Sequence, residues 1–363
     1  MLKRLQVRDF KSLRALEVEF GRLTVLVGAN GCGKSSVLQA IKLVRDLAVD
    51  SDKVRFPSGA LSRPLRADTP PSAIHIQLEC GTDKLRAELY PEPNDAQTLS
   101  PNSMLTVSDN EDPFPSLMIP DWVKRTLEGV NLYQLDKRVM ERPAYSEEAD
   151  PIVGSQGENL ATVLDAMQGF HRERFEEIEG QLRKLIPGLR QVRLQRVKVP
   201  ITRSMIVDSE IHQVNDSVIG HQVLLDFEFA RGVAADQASE GTILLLGLLT
   251  VIGKEAGQQI TVMLDDLDRA LHPKAQRQLV EHLHSLLDQR PELQIIATSH
   301  SPYLVEHLAY DEVLAMTQSP TDGRSLIAPL ASHPDAERWR DEMSAGEFWS
   351  SVGEDWIHQA KAQ

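Results

Sequence analysis

Long apolar runs are missing from this chain. Its richest stretch, Ile243 to Ile252, falls well short of the roughly 20 residues a membrane-spanning helix needs, so no span is expected. Cysteine is nearly missing too. Cys32 and Cys80 cannot build a disulfide framework, and their scarcity fits a reducing, cytoplasmic setting. Basic charge is in deficit: 39 Lys and Arg stand against 53 Asp and Glu, a net charge of −14. That argues against wholesale coating of nucleic acid while leaving room for one basic groove. No apolar leader is seen, because Met1–Phe10 alternates apolar and polar residues with the period of a strand. Repeats are not seen either. What remains, 363 residues with 41% hydrophobic and 25% charged, is an ordinary globular composition sufficient for one large domain or two smaller ones.

The chain opens as β structure, with Leu5, Val7, Leu16, Val18 and Phe20 alternating through residues 1–27. A helix is expected over 34–49, where Val37, Leu38, Ile41, Val44 and Ala48 recur at helical spacing. Residues 51–120 are rich in proline, serine and charge, with a strand-like piece at Ala73–Glu79. Within them Pro91–Pro120 holds six prolines and reads as a surface loop. Helical spacing returns over Asn159–Leu185, with a break near Gly169 and a stop at Pro187-Gly188. Val192–Phe229 reads as several strands. From about Ala238, helices alternate with two strongly apolar strands, Ile260–Leu264 and Leu293–Ala297. A strand, turn and helix near one end and two buried strands near the other predict one parallel-sheet core closed by distant segments. The middle then forms an insertion or an accessory β lobe.

The most informative segment is Gly28-Ala-Asn-Gly-Cys-Gly-Lys-Ser35, which fits Gly-x4-Gly-Lys-Ser. It follows the apolar Leu23–Val27 and opens the helix at 34–49, an order that aims several backbone N–H groups at one anion. Asn30, Gly31, Cys32, Gly33, Lys34, Ser35 and Ser36 form the expected cradle for a nucleoside triphosphate. Lys34 would reach the β- and γ-phosphates and Ser35 would hold Mg²⁺ through its hydroxyl. The bland alternative is a glycine turn before an ordinary helix.

Asp265-Asp266 ends the second apolar strand. Asp265 is placed to bind Mg²⁺ through water and Asp266 to orient or deprotonate the attacking water; otherwise the pair merely caps the next helix. Thr298-Ser-His300-Ser-Pro302 ends the third, which puts His300 at the strand edge where γ-phosphate would lie. Ser239-Glu240-Gly241 opens a further helix and offers a second anion-binding N-terminus, a weak signal taken alone.

In that order, with Leu271-His272-Pro273 between, these pieces resemble the ABC-class ATPase heads of the RecF, OLD and structural-maintenance-of-chromosomes group. The stand-alone bacterial OLD-like AAA family ATPases are the most similar. Asp9-Phe-Lys-Ser-Leu-Arg14, Gly157-Glu-Asn-Leu-Ala161, Leu185-Ile-Pro-Gly188 and Gly346-Glu-Phe-Trp349 with Gly353-Glu-Asp-Trp356 extend the resemblance over most of the chain. It implies an α/β fold: a P-loop NTPase of ABC-ATPase head type, its mixed or parallel sheet core joined by an antiparallel β lobe and a helical insertion. The expected layout is a single domain over 1–363. A P-loop-containing lobe at 1–150 carries the loop-rich insertion at 51–120. A helical and β insertion at 151–230 follows, then a lobe at 231–363 with the signature, acidic strand and histidine.

The resemblance also implies roles. ATP and Mg²⁺ are the expected ligands. Ser239, Glu240 and Gly241 would meet the γ-phosphate held by a second copy, giving a head-to-tail homodimer or a higher assembly. His300 would be the switch histidine, and Lys11, Ser12 and Arg14 would lie near the base or α-phosphate. A polar residue after a central strand should sense Mg²⁺. Gln134 and Asp136 are candidates for it, with Gln77 a rival. Relatives serve DNA maintenance or anti-phage defence. The stretch after His300 is expected to lack room for a Toprim-type nuclease domain, so a separately encoded effector, such as a nuclease, is expected, with DNA contact possible and no membrane.

One departure matters. The family reads Asp-Glu-Pro-Glu where this chain reads Asp265-Asp-Leu-Asp268. A carboxylate drawn back by roughly an ångström lowers the rate about a hundredfold, which predicts slow or partner-stimulated hydrolysis. A nucleotide-gated scaffold with vestigial hydrolysis is the alternative; a P-loop kinase or GTPase would have no use for both Ser239-Glu-Gly and Thr298-Ser-His-Ser. Arg190, Arg193, Arg196, Lys198 and Arg203 could line a DNA groove or form the solvated face of a strand. Trp349 and Trp356 are either core residues or partner-facing anchors.

Overall fold

A computed structural model describes residues 1–49, 73–81, 83–92, 95–99, 104–108, 119–207, 210–254 and 260–360. The chain divides into two compact units, Met1–Leu132 with Gly257–Asp268 and Gln276–Gln363, and Tyr133–Ala256 with Arg269–Ala275.

The first unit is built on two sheets. One is five-stranded and antiparallel, in the order Leu13–Glu19, Leu2–Phe10, Ile74–Cys80, Asp83–Leu89, Met104–Ser108. Its strands alternate as the sequence does: Leu5, Val7, Ile74, Ile76 and Leu78 face inward while charged residues face out. The other sheet has six strands, in the order Ser325–Pro329, Val313–Gln318, Leu23–Gly28, Leu293–Thr298, Ile260–Leu264, Val130–Tyr133. The Leu23–Gly28, Leu293–Thr298 and Ile260–Leu264 strands are buried along their whole length, as expected of a parallel sheet covered on both faces. They run parallel side by side, and Val313–Gln318 flanks Leu23–Gly28, also parallel. Helix Lys34–Val49 packs against strands of both sheets through Val37, Leu38, Ile41 and Val44, in a continuous core.

This topology decides the site. Three adjacent parallel strands carry their C-terminal ends to one edge of the sheet, so the glycine loop, Ser299-His300 and Asp265-Asp266 emerge together.

The second unit contains helices Leu160–Phe170, Arg172–Leu185 and Glu240–Lys254, and a long antiparallel pair, Leu189–Val207 with Glu210–Phe227. The helical stretch breaks at His171, close to Gly169 as expected. The expected several strands are two. Pro200 reads as a breaker in the sequence, but it lies on the edge strand of a three-stranded sheet, where its missing donor costs no ladder bond. The expected loop at Pro91–Pro120 also supplies described strands, Pro91–Glu92, Asp95–Leu99 and Met104–Ser108, the last pairing with Asp83–Leu89. Most of the 51–73 stretch falls outside the described residues.

Candidate nucleotide site

The glycine loop begins where Leu23–Gly28 meets its parallel neighbour. Gly28 has φ +139°, and a Cβ there would drive into the Met316 carbonyl and lie 3.2 Å from the Cys32 Sγ. Only glycine fits. Gly28→Ala is expected to cost about 3 kcal/mol or more, through strain and overlap together. A thermal melt should drop by more than about 5 °C; a melt within a degree of wild type would mean the loop is not packed as described.

Lys34 opens the helix and turns back over the loop. Its Nζ donates to the Gly28 carbonyl at 2.8 Å and the Ala29 carbonyl at 3.0 Å, and lies 3.4 Å from the His300 Nδ1. An ammonium has no lone pair, so Nδ1 accepts and the imidazole proton sits on Nε2. That nitrogen faces Asp266, 3.9 Å from its Oδ1. Lysine, histidine and second acid thus form a row along the sheet edge.

The first acid lies on the other side. Ser35 donates its hydroxyl to Asp265 Oδ1 at 2.9 Å, and Thr298 donates to the same oxygen at 2.7 Å. The Asp266 N–H returns to the Thr298 hydroxyl at 2.8 Å, and the Leu267 N–H donates to the Thr298 carbonyl at 2.9 Å. Asp268 accepts from the His300 N–H at 3.0 Å. Asp266 itself has φ +56°, the left-handed region. Its carboxyl is pushed above the usual carboxylate range, first by burial and then by the neighbouring Asp265.

Mg²⁺ suits these residues. It binds through few protein groups and keeps several waters, its remaining ligands coming from phosphates. The hydroxyl of Ser35 and the carboxylate of Asp265 already face each other across a single hydrogen bond, so an ion could be shared by them. Among the described residues no cluster of three or more His, Cys, Asp and Glu is placed to hold a metal ion.

The other expected residues divide. Ser12 reaches the loop: a Cβ on Gly33 would lie 2.9 Å from its Oγ, and Ser325 binds it through both backbone N–H and hydroxyl. Gln318 holds the Gly31 carbonyl at 2.8 Å. Lys11, at φ +55°, gives its Nζ to Gln39 on the helix that follows the loop, and burial lowers its pKa. The Asp322 carboxyl is held below its usual range first by the Ser319 hydroxyl and then by Arg324, with Arg14 a further, smaller contribution. Asn30 and Gly31 are exposed, Cys32 is buried, and Ser36 sits half-buried in the first turn of the helix. Burial pushes the Cys32 thiol up, which makes it a poor thiolate.

Gln77 is engaged elsewhere, with Glu79 and Arg86 on the antiparallel sheet. Gln134 and Asp136 belong to the second unit. The Gln134 N–H donates to Ser155, and Asp136 caps helix Lys137–Met140 through the Arg138 N–H.

Ser239, Glu240 and Gly241 also belong to the second unit. Ser239 caps Glu240–Lys254, its Oγ 3.2 Å from the Thr242 N–H and 2.7 Å from the Thr242 hydroxyl. Glu240 is paired with Arg269, and a Cβ on Gly241 would stand 2.6 Å from the Ala270 carbonyl. Two residues of the basic stretch have acidic partners across the hairpin: Arg193 binds Asp226 with two nitrogens and Arg190 binds Glu228. Trp349 and Trp356 are buried, the latter edge-on to His333, so both pack.

Sequence reasoning missed Thr298, Asp268, Gln318 and Ser325 as working parts. For Thr298 a signal was present: a hydroxyl at the end of a strand whose neighbours are nearly all apolar.

Comparison with known proteins bears on the family and the fold. The family described as "AAA domain, putative AbiEii toxin, Type IV TA system" matches residues 23–306. The OLD nuclease of Thermus scotoductus is 23% identical over 391 residues, covering 90% of this chain; the chain spans 64% of that protein's length. The Septu protein PtuA of Bacillus thuringiensis is 38% identical over 55 residues, 15% of this chain and 13% of its own. The structure of an SmcHead bound to the C-winged helix domain of ScpA aligns with TM-score 0.58 and 14% identity, over 90% of this chain and 96% of that one. An Smc head domain with an extended coiled coil, bound to the C-terminal domain of ScpA derived from Pyrococcus furiosus, aligns at TM-score 0.56 and 15% identity, with the same coverage. At such identities these two structures speak to the fold alone. Among the described residues no helix is long and apolar enough to cross a membrane.

Proposed function

The chain belongs to this AAA-domain family, an ABC-class ATPase head, and we propose from that premise that it hydrolyses Mg·ATP as a head-to-tail pair of copies. The observation that carries the reading is the hydrogen-bonded row Lys34–His300 beside Ser35–Asp265–Thr298, which lies within the first unit. Lys34 is positioned to exchange the loop carbonyls for phosphate oxygens, and the loop N–H groups to cradle them. Mg²⁺, held by Ser35 and Asp265, would neutralise charge on the phosphates. Asp266 takes the role of facing the attacking water, with His300 between it and Lys34. Ser239 and Gly241, at the N-terminus of Glu240–Lys254, are the groups we assign to the γ-phosphate of the second copy.

Turnover on this reading is slow, because the water-facing acid is the shorter aspartate. Service in DNA maintenance or anti-phage defence, with a separately encoded effector such as a nuclease, belongs to this reading; among the relatives, the OLD nuclease supports the nuclease connection. The competing reading is a nucleotide-gated scaffold whose ATP-bound pair holds a partner and whose hydrolysis is vestigial.

Solution mass with and without Mg·ATP, on wild type and Ser239→Arg, tests the pairing, with phosphate release followed in the same samples. Wild type should double in mass with ATP and Ser239→Arg should not, since a long cation at that helix start blocks the facing nucleotide. Unchanged wild-type mass, with Ser239→Arg releasing phosphate normally, would mean that each site works alone. Doubling without release would select the scaffold.

A further inference from the structure

Thr298 is wholly buried, and a buried hydroxyl must find partners. Both of those it finds belong to the acidic pair. Its Oγ1 donates to the Asp265 carboxylate at 2.7 Å and accepts the Asp266 N–H at 2.8 Å. Its carbonyl takes the Leu267 N–H at 2.9 Å. Three consecutive residues of the acidic turn are therefore tied to one threonine on the neighbouring strand. The middle one, Asp266, has φ +56°. A non-glycine residue keeps such a conformation only where its surroundings fix it, and here a bond on each side of Asp266 does so.

We propose that Thr298 is a positioning residue for ATP hydrolysis, holding the Asp265 carboxylate and the left-handed backbone at Asp266 in working register without touching nucleotide. This rests on the ATPase reading above. Aspartate has one methylene between backbone and carboxylate, so any drift of the Asp266 backbone is passed almost undamped to the group that faces water. Leu267 is part of the same device. A proline in its place would have no N–H for the Thr298 carbonyl and would push residue 266 toward extended backbone.

The test uses the full chain as wild type, Thr298→Val, Thr298→Ser, Leu267→Pro and Lys34→Ala. Steady-state phosphate release gives kcat and KM, and a fluorescent ATP analogue gives binding separately. Valine keeps the shape and removes both hydroxyl bonds; serine keeps them. Thr298→Val should bind the analogue within about threefold of wild type, with KM little changed and kcat at least about 30-fold lower. Thr298→Ser should stay within about threefold in every parameter, and Leu267→Pro should behave as Thr298→Val does. A Thr298→Val enzyme with nearly wild-type kcat overturns the proposal. So does a Thr298→Ser enzyme as defective as Thr298→Val, which would assign the loss to packing, and so does loss of binding in Thr298→Val. Failure of the underlying reading looks different: wild-type phosphate release would be absent or would survive in Lys34→Ala, and the positioning role would fall with it.

Discussion

Lys34→Ala should abolish nucleotide-dependent behaviour while leaving the free protein folded. The ammonium is buried under the loop, and its hydrogen bonds to the Gly28 and Ala29 carbonyls are ones water can replace. Charge-assisted bonds to phosphate oxygens are another matter. Each contributes about 1.5–3 kcal/mol when desolvated, and one ammonium can serve two phosphates at once. Removing it should weaken ATP binding by at least about a hundredfold, or roughly 3 kcal/mol. Phosphate release and the ATP-induced mass change should vanish together, while the melt without nucleotide should shift by no more than about 2 °C. Isothermal titration with ATP and a nucleotide-free melt on the same preparation check both halves. Retained tight binding would mean the phosphates are held by other groups and that the loop is only a turn.

The glycine loop that we assign to phosphate was legible in the sequence because that role leaves few choices. A backbone that must approach an anion needs Gly28, Gly31 and Gly33, and the charge and the metal-facing hydroxyl must follow at once in Lys34 and Ser35. Strand-edge placement of Asp265 and His300 was legible for a similar reason: both follow apolar runs that can only be buried strands. What stayed hidden were partnerships set by the sheet order. The histidine strand lies between the loop strand and the acidic strand, so Thr298 and His300 border both neighbours. Nothing along the chain announces an adjacency between residues more than thirty positions apart. The magnesium-sensing residue was ambiguous because a polar residue after a strand is common, and Gln77 turned out to be occupied on the antiparallel sheet. The long hairpin was hidden by Pro200, whose local preference is to break a strand and whose edge position makes it harmless.

Asp266→Asn should separate stability from chemistry and move them in opposite directions. In the free protein the Asp266 carboxyl is pushed up by burial and by Asp265, so its ionised form is less stable folded than unfolded. The sign follows from that. Below the unfolded pKa both states hold the proton and the residue contributes nothing. As pH rises through the folded pKa the penalty is complete, and it persists at neutral pH. Asparagine removes the charge and is among the residues most at ease at φ +56°. In chelator and without nucleotide the variant should therefore melt slightly above wild type at pH 7, with the gain shrinking toward acid pH. The gain is no more than about 1 °C, because the Asp266 side chain is 53% exposed and its charge is screened by water. Turnover should fall by about a hundredfold to ten-thousandfold, because an amide cannot take a proton from water, while ATP binding is kept. An ATP-held pair, if hydrolysis is what opens it, should then persist for hours in gel filtration after excess nucleotide is removed. A variant that melts higher yet still releases phosphate at the wild-type rate would move the water-facing role away from Asp266. His300 would be next to test, since it stands between that acid and Lys34.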